Sequence, residues 1–78
     1  MQLSRNQIYV LGALNEFGGS VAYDRLQDAV DVRALRRLRA DLRTLRDHRL
    51  VEKYRDGRYA LTAVGREQLR GLRTQVAA

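Results

Sequence analysis

The residues best equipped for chemistry in this chain are arginines, and where they cluster matters more than how many there are. Arg33, Arg36, Arg37, Arg39, Arg43, Arg46 and Arg49 are offset locally only by Asp41 and Asp47, so residues 33–49 carry a net +5 of the chain's +6. A guanidinium is a permanent cation with a planar fork of donors. It suits phosphate oxygens, or guanine O6 and N7 taken bidentately, and it is too basic for proton transfer at neutral pH. The chemistry on offer is therefore recognition of a polyanion.

Side chains that catalyse are sparse. His48, the single histidine, stands beside Arg49 near a helix end, the usual setting of a solvated terminator rather than a base or a ligand. No cysteine is present, which removes disulfides and thiolate metal sites, and Ser4 and Ser20 fall in capping and bridging positions. Asp24 and Asp28, four apart, could share a metal, yet two carboxylates at that spacing more often make a solvated helix face. Gly18-Gly19 lacks the pattern of a phosphate-cradling loop. The reading is a binding protein, not an enzyme, with no cofactor and no small-molecule ligand. A pI near 10.8 favours nucleic acid as the partner. No apolar run approaches the roughly 18 residues of a membrane span, so a soluble, cytoplasmic and nucleoid-associated protein is expected.

The arginines need an element to carry them. Leu35, Leu38, Leu42 and Leu45 recur at spacings of three and four, so they share one face of a helix expected over 32–48. Arg33, Arg36, Arg37, Ala40, Arg43 and Thr44 then point largely the other way. A coiled coil would use the same leucine spacing, but Arg49 and Glu52 occupy the next seam positions, leaving about two heptads where three or four are needed.

Residues 1–78 read as one domain around that helix. Ser4 and Gln7 fit a capping box for a first helix whose stripe includes Ile8, Val10, Leu11, Ala13, Leu14 and Phe17, closed by Gly18 as a left-handed cap. Ser20 to Ala22 make a short extended bridge, and a second helix covers about 23–30. Asp31 then caps the basic helix. Beyond it, Val51 to Arg55 and Arg58 to Thr62 flank Asp56-Gly57, a hairpin signal of type I′. That two-residue turn sets Arg55 opposite Arg58 and Tyr54 opposite Tyr59. The two arginines either splay into water or hold a phosphate between them. Thr62 opens a last helix with Val64, Leu69, Leu72 and Val76 as its apolar side and Gly65 where a neighbour comes close.

Two stretches resemble a known family. Leu42-Arg43-Thr44-Leu45-Arg46-Asp47-His48-Arg49-Leu50-Val51 looks like the L-x-x-L-x-x-x-G-L-V segment that ends the recognition helix of MarR- and PadR-like regulators. Leu61-Thr62-Ala63-Val64-Gly65-Arg66-Glu67-Gln68-Leu69 is similar to their L-T-x-x-G-R-x-x-L strand-to-helix junction. Arg49 stands where the family has glycine. The resemblance implies a mainly α (α+β) fold: a winged helix-turn-helix with three helices, a short two-stranded wing and a C-terminal helix. It further implies a transcriptional regulator, a repressor, that binds double-stranded DNA as a homodimer, with the basic helix in the major groove and the 51–61 wing on the backbone.

On the residues themselves, Arg33, Arg36, Arg37 and Ala40 lie near the start of the basic helix, where base edges are met. Arg43, Thr44, Lys53, Arg55 and Arg58 are the expected phosphate contacts. Leu69, Leu72 and Val76 are the expected dimer interface. Two other functions compete: a winged-helix protein–protein docking module, disfavoured by the arginines, and an RNA-binding protein, disfavoured by the scarcity of free aromatic rings.

Overall fold

A computed structural model describes residues 2–77, with side chains through residue 72. The elements run α1 (Arg5–Phe17), β1 (Val21–Ala22), α2 (Tyr23–Ala29), α3 (Val32–Arg36), α4 (Leu38–Asp47), β2 (Val51–Lys53), β3 (Arg58–Leu61) and α5 (Ala63–Ala77). This is a mainly helical α+β domain in which five helices pack with a three-stranded antiparallel sheet of order β1-β3-β2.

Local chemistry sets most boundaries. The Ser4 hydroxyl accepts from the Gln7 N–H while the Gln7 side chain accepts from the Ser4 N–H, so two otherwise orphaned donors are satisfied at the start of α1. Gly18 ends that helix at φ 70°, a conformation glycine adopts without steric cost. Asp31 accepts from the Ala34 N–H at 2.9 Å and starts α3.

The expected single helix over 32–48 is two. Arg37 leaves helical geometry at φ −109°, ψ 8°, and its N–H reaches back to Ala34 and Leu35 carbonyls in a tightened turn. Ala34 rather than Leu35 is the inward residue of α3, and Leu35 keeps 38% of its surface exposed. Leu38, Leu42 and Leu45 face inward as expected, joined by Asp41. No proline or glycine marks the break. The five-residue α3 is too short to persist alone, and it is held by packing on α1 and α4.

α1 is the hub: it touches each other helix and β3. Val10, Leu11 and Leu14 meet Leu26, Leu38, Leu42, Leu45, Leu50 and Leu69 in one cluster beneath α4. That burial, at roughly 25 cal/mol per Å² of apolar surface, is what holds a helix crowded with like charges.

α4 ends in a Schellman motif. Leu50 N–H donates to the Leu45 carbonyl and Arg49 N–H to that of Arg46, both at 2.9 Å, while Leu45 and Leu50 are fully buried together. This demands a left-handed residue at 49, and Arg49 takes it at φ 62°. The helix thus ends as a glycine would end it, with arginine in the strained place. The Arg49 carbonyl accepts from the Thr62 hydroxyl at 2.6 Å, and that hydroxyl caps α5 by accepting from the Gly65 N–H at 3.0 Å. Gly65 lies so near the Leu50 carbonyl that an added Cβ would run into its oxygen.

The hairpin differs from expectation by one residue. Val51 pairs with Leu61, Glu52 with Ala60 and Lys53 with Tyr59. Tyr54 N–H donates to the Arg58 carbonyl, and Gly57 N–H closes the turn on Tyr54. The loop is therefore Arg55-Asp56-Gly57, with Gly57 at φ 91°, the three-residue form with a left-handed third residue rather than the two-residue type I′ turn. A one-residue slip reassigns every facing pair and face. Arg55 is not opposite Arg58, and Tyr54 does not meet Tyr59. Nor is the ribbon two-stranded, because β1 pairs with β3 through Val21–Tyr59 and Ala22–Arg58.

On α5, Val64 is 57% exposed and off the apolar side, while Leu69 is 4% exposed within the domain's own core. Leu72 is half-buried, and the side chain of Val76 lies outside the described residues. Of the three residues expected at a subunit contact, Leu69 is already spent on intramolecular packing.

Candidate nucleic-acid interface

α4 is ten residues long, about 15 Å at the helical rise. Its buried residues, Leu38, Asp41, Leu42 and Leu45, fill one side. Ala40, Arg43 and Asp47 lie opposite them at i, i+3 and i+7 and are exposed. Thr44, on the flank, is half-buried. Arg33 and Arg36 project from α3 and Arg37 from the junction, all exposed. The expected base contacts thus share the α3–α4 surface, but the bend at Arg37 divides them between two short helices.

Among the described residues, no carboxylate oxygen lies within 4.0 Å of the guanidinium of Arg33, Arg36, Arg37, Arg39, Arg43, Arg46 or Arg49. Asp41 leaves the surface altogether at 2% exposure, and its Oδ2 finds no hydrogen-bond partner among the described residues. Arg39 with Arg43, and Arg43 with Arg46, are like charges at helical neighbour spacing, each pair destabilising by roughly 0.2–0.5 kcal/mol. The leucine face outweighs them.

A second group of cations lines an open cleft of about 670 Å³ between α4 and the sheet, where Arg39, Arg43 and Arg46 face Lys53 across Val51 and Tyr59. Asp47 and Glu52 also border it, leaving a net positive wall. Glu52 is partly engaged, accepting the Tyr54 hydroxyl at 2.8 Å. That bond and the Glu52 charge raise the Tyr54 phenol above its ordinary range near 10. Arg39 and Arg46 were not among the expected contacts. Their i, i+4, i+7 spacing with Arg43 was visible, but its meaning depended on where the sheet would sit.

At the hairpin tip, Arg55 carries no ion pair among the described residues, whereas Arg58 is tied down. Its Nε lies 3.5 Å from Asp56 Oδ2, its backbone N–H donates to Asp56 Oδ1 at 3.1 Å, and its Nη1 donates to the Ser20 hydroxyl at 3.4 Å. A phosphate would have to share Arg58 with that carboxylate. Asp24 and Asp28 are exposed on α2, and among the described residues no group of three or more metal-ligating side chains converges. No helix of the described residues is long and apolar enough to cross a membrane.

The chain matches no protein-family model, no curated protein and no solved structure.

Proposed function

We propose that this domain is a winged helix-turn-helix of the MarR/PadR-like kind that binds double-stranded DNA sequence-specifically, as a small transcriptional regulator in the cytoplasm. The observation that carries the reading is the exposed arginine surface of α3 and α4, anchored by buried leucines and without carboxylate partners among the described residues. An unneutralised cationic ridge on a helix matches the width and charge of a major groove. In this reading Arg33, Arg36, Arg37 and Ala40 meet base edges. Arg43, Thr44, Lys53, Arg55 and Arg58 meet phosphates, with β2 and β3 as the wing. Two copies bind two half-sites, which requires a contact beyond Leu69.

The test is a titration of the whole chain against random duplex DNA, single strands and duplex RNA across a salt series. Four phosphate-facing cations per domain give a log–log slope of about −3.6, a loss of about 150-fold between 50 and 200 mM salt. Arg36→Ala or Arg37→Ala then weakens the preferred sequence by roughly 1–3 kcal/mol and relaxes base preference, whereas Arg55→Ala weakens all sequences alike. A flat slope, or equal affinity for all three nucleic acids, refutes the proposal.

A further inference from the structure

Two cations of the α4–sheet cleft rest on rings rather than on carboxylates. The Arg39 guanidinium carbon stands 5.3 Å from the centre of the Tyr23 ring, and Lys53 Nζ stands 5.7 Å from that of Tyr59. The rings themselves lie 6.1 Å apart at 51°. Four elements thus contribute one chain of contacts, Arg39 of α4 to Tyr23 of α2, Tyr23 to Tyr59 of β3, and Tyr59 to Lys53 of β2. Tyr59 is buried in the core and Tyr23 packs against it, so the pair is a fixed base for two long side chains.

The difference between a ring and a carboxylate decides what such a base is for. A carboxylate would hold the cation by cancelling its charge, and an incoming anion would have to compete with it. A ring attracts through its quadrupole, restricts the side chain, and leaves the full charge directed outward. Arginine is well suited because its flat guanidinium rests on a ring while its edge N–H groups stay free. This preorganises donors toward the cleft that Arg43 and Arg46 also line.

We propose that the cleft receives the phosphodiester backbone of one DNA strand, that Arg39 and Lys53 are its phosphate contacts, and that Tyr23 is a positioning residue acting through Arg39. The proposal rests on the duplex-binding reading above and adds a strand path that it does not specify. Asp47 and Glu52 border the same cleft, and their charges repel the backbone where they stand.

The experiment measures binding of one fixed duplex DNA across a salt series by wild type and the variants Arg39→Ala, Lys53→Ala, Tyr23→Phe, Tyr23→Leu and Tyr23→Leu/Arg39→Ala. Arg39→Ala and Lys53→Ala each flatten the log–log slope by about 0.9. Tyr23→Phe keeps the ring face and binds as wild type. Tyr23→Leu weakens binding about three- to tenfold, yet adds nothing on the Arg39→Ala background. Wild-type binding with an unchanged slope in Arg39→Ala overturns the strand path but not the duplex reading. Tyr23→Leu effects of equal size with and without Arg39 overturn the positioning role and mark a purely structural tyrosine. Should wild type not bind duplex DNA, both readings fall.

Discussion

Replacing Arg49 by glycine should make this domain more stable, although it removes a side chain and a charge and adds no contact. Arg49 sits at φ 62° because the Schellman motif closing α4 requires a left-handed residue there. For a residue with a Cβ that conformation costs roughly 1–2 kcal/mol. Glycine escapes the clash but gives the unfolded chain more freedom, returning about 0.4–1 kcal/mol of the gain. The backbone groups that matter are kept: the N–H to the Arg46 carbonyl at 2.9 Å and the carbonyl that accepts from Thr62 at 2.6 Å. The expected net is about 1 kcal/mol of stabilisation, or a rise of about 4–8 °C in Tm for a domain of this size. Thermal and urea denaturation followed by circular dichroism would read it, with Arg49→Ala as the control that removes the charge but keeps the strained backbone. If Arg49→Ala gains as much as Arg49→Gly, crowded charge rather than conformation is the source. If Arg49→Gly gains nothing, the reasoning from φ is wrong.

Gly65→Ala should act in the opposite direction, because its Cβ would meet the Leu50 carbonyl backbone, which cannot swing aside. Overpacking of that kind costs about 1–3 kcal/mol, read as a lower urea midpoint at an unchanged m-value. Asp41→Ala should stabilise by about 1 kcal/mol, since it removes a buried polar side chain whose Oδ2 has no hydrogen-bond partner among the described residues; a destabilised variant would point to a hidden partner. Tyr54 should ionise above its ordinary value, because it donates to Glu52 and faces that charge. Its folded pKa is raised, so its contribution is present at neutral pH and fades only as pH climbs through that value. Ultraviolet titration of Glu52→Gln should return the phenol toward 10, and an unchanged curve would exclude Glu52 as the cause.

How far the fold could be read ahead depended on whether a signal was local. Ser4 with Gln7, Gly18 and Asp31 each satisfy backbone groups within three residues of themselves, and each stands where its type placed it. Gly65 was legible as a close approach because a small residue inside a helix otherwise has little to recommend it. The break at Arg37 was not legible: the Leu and Arg pattern runs through it, and what divides the helix is packing on α1 and α4. Asp56-Gly57 announced a turn but not its length. Two- and three-residue loops both use a left-handed glycine, and one residue of difference decided that Tyr59 faces inward to Tyr23 while Tyr54 stays out with Glu52. The candidate site divides the same way. Charge identified the α3–α4 arginines, whereas the Tyr23 support for Arg39 joins residues sixteen apart and needed three dimensions.

The sheet's outer margin carries a consequence for how concentrated this protein can become. Among the described residues β2 pairs only with β3, so its far side offers unpaired amide groups to any other chain that arrives extended. It is three residues long, and two of them are the exposed Glu52 and Lys53. So brief and charged a border gives an intruding strand little purchase. Glu52→Val with Lys53→Val would remove that guard, and filamentous self-association is the failure the present pair resists.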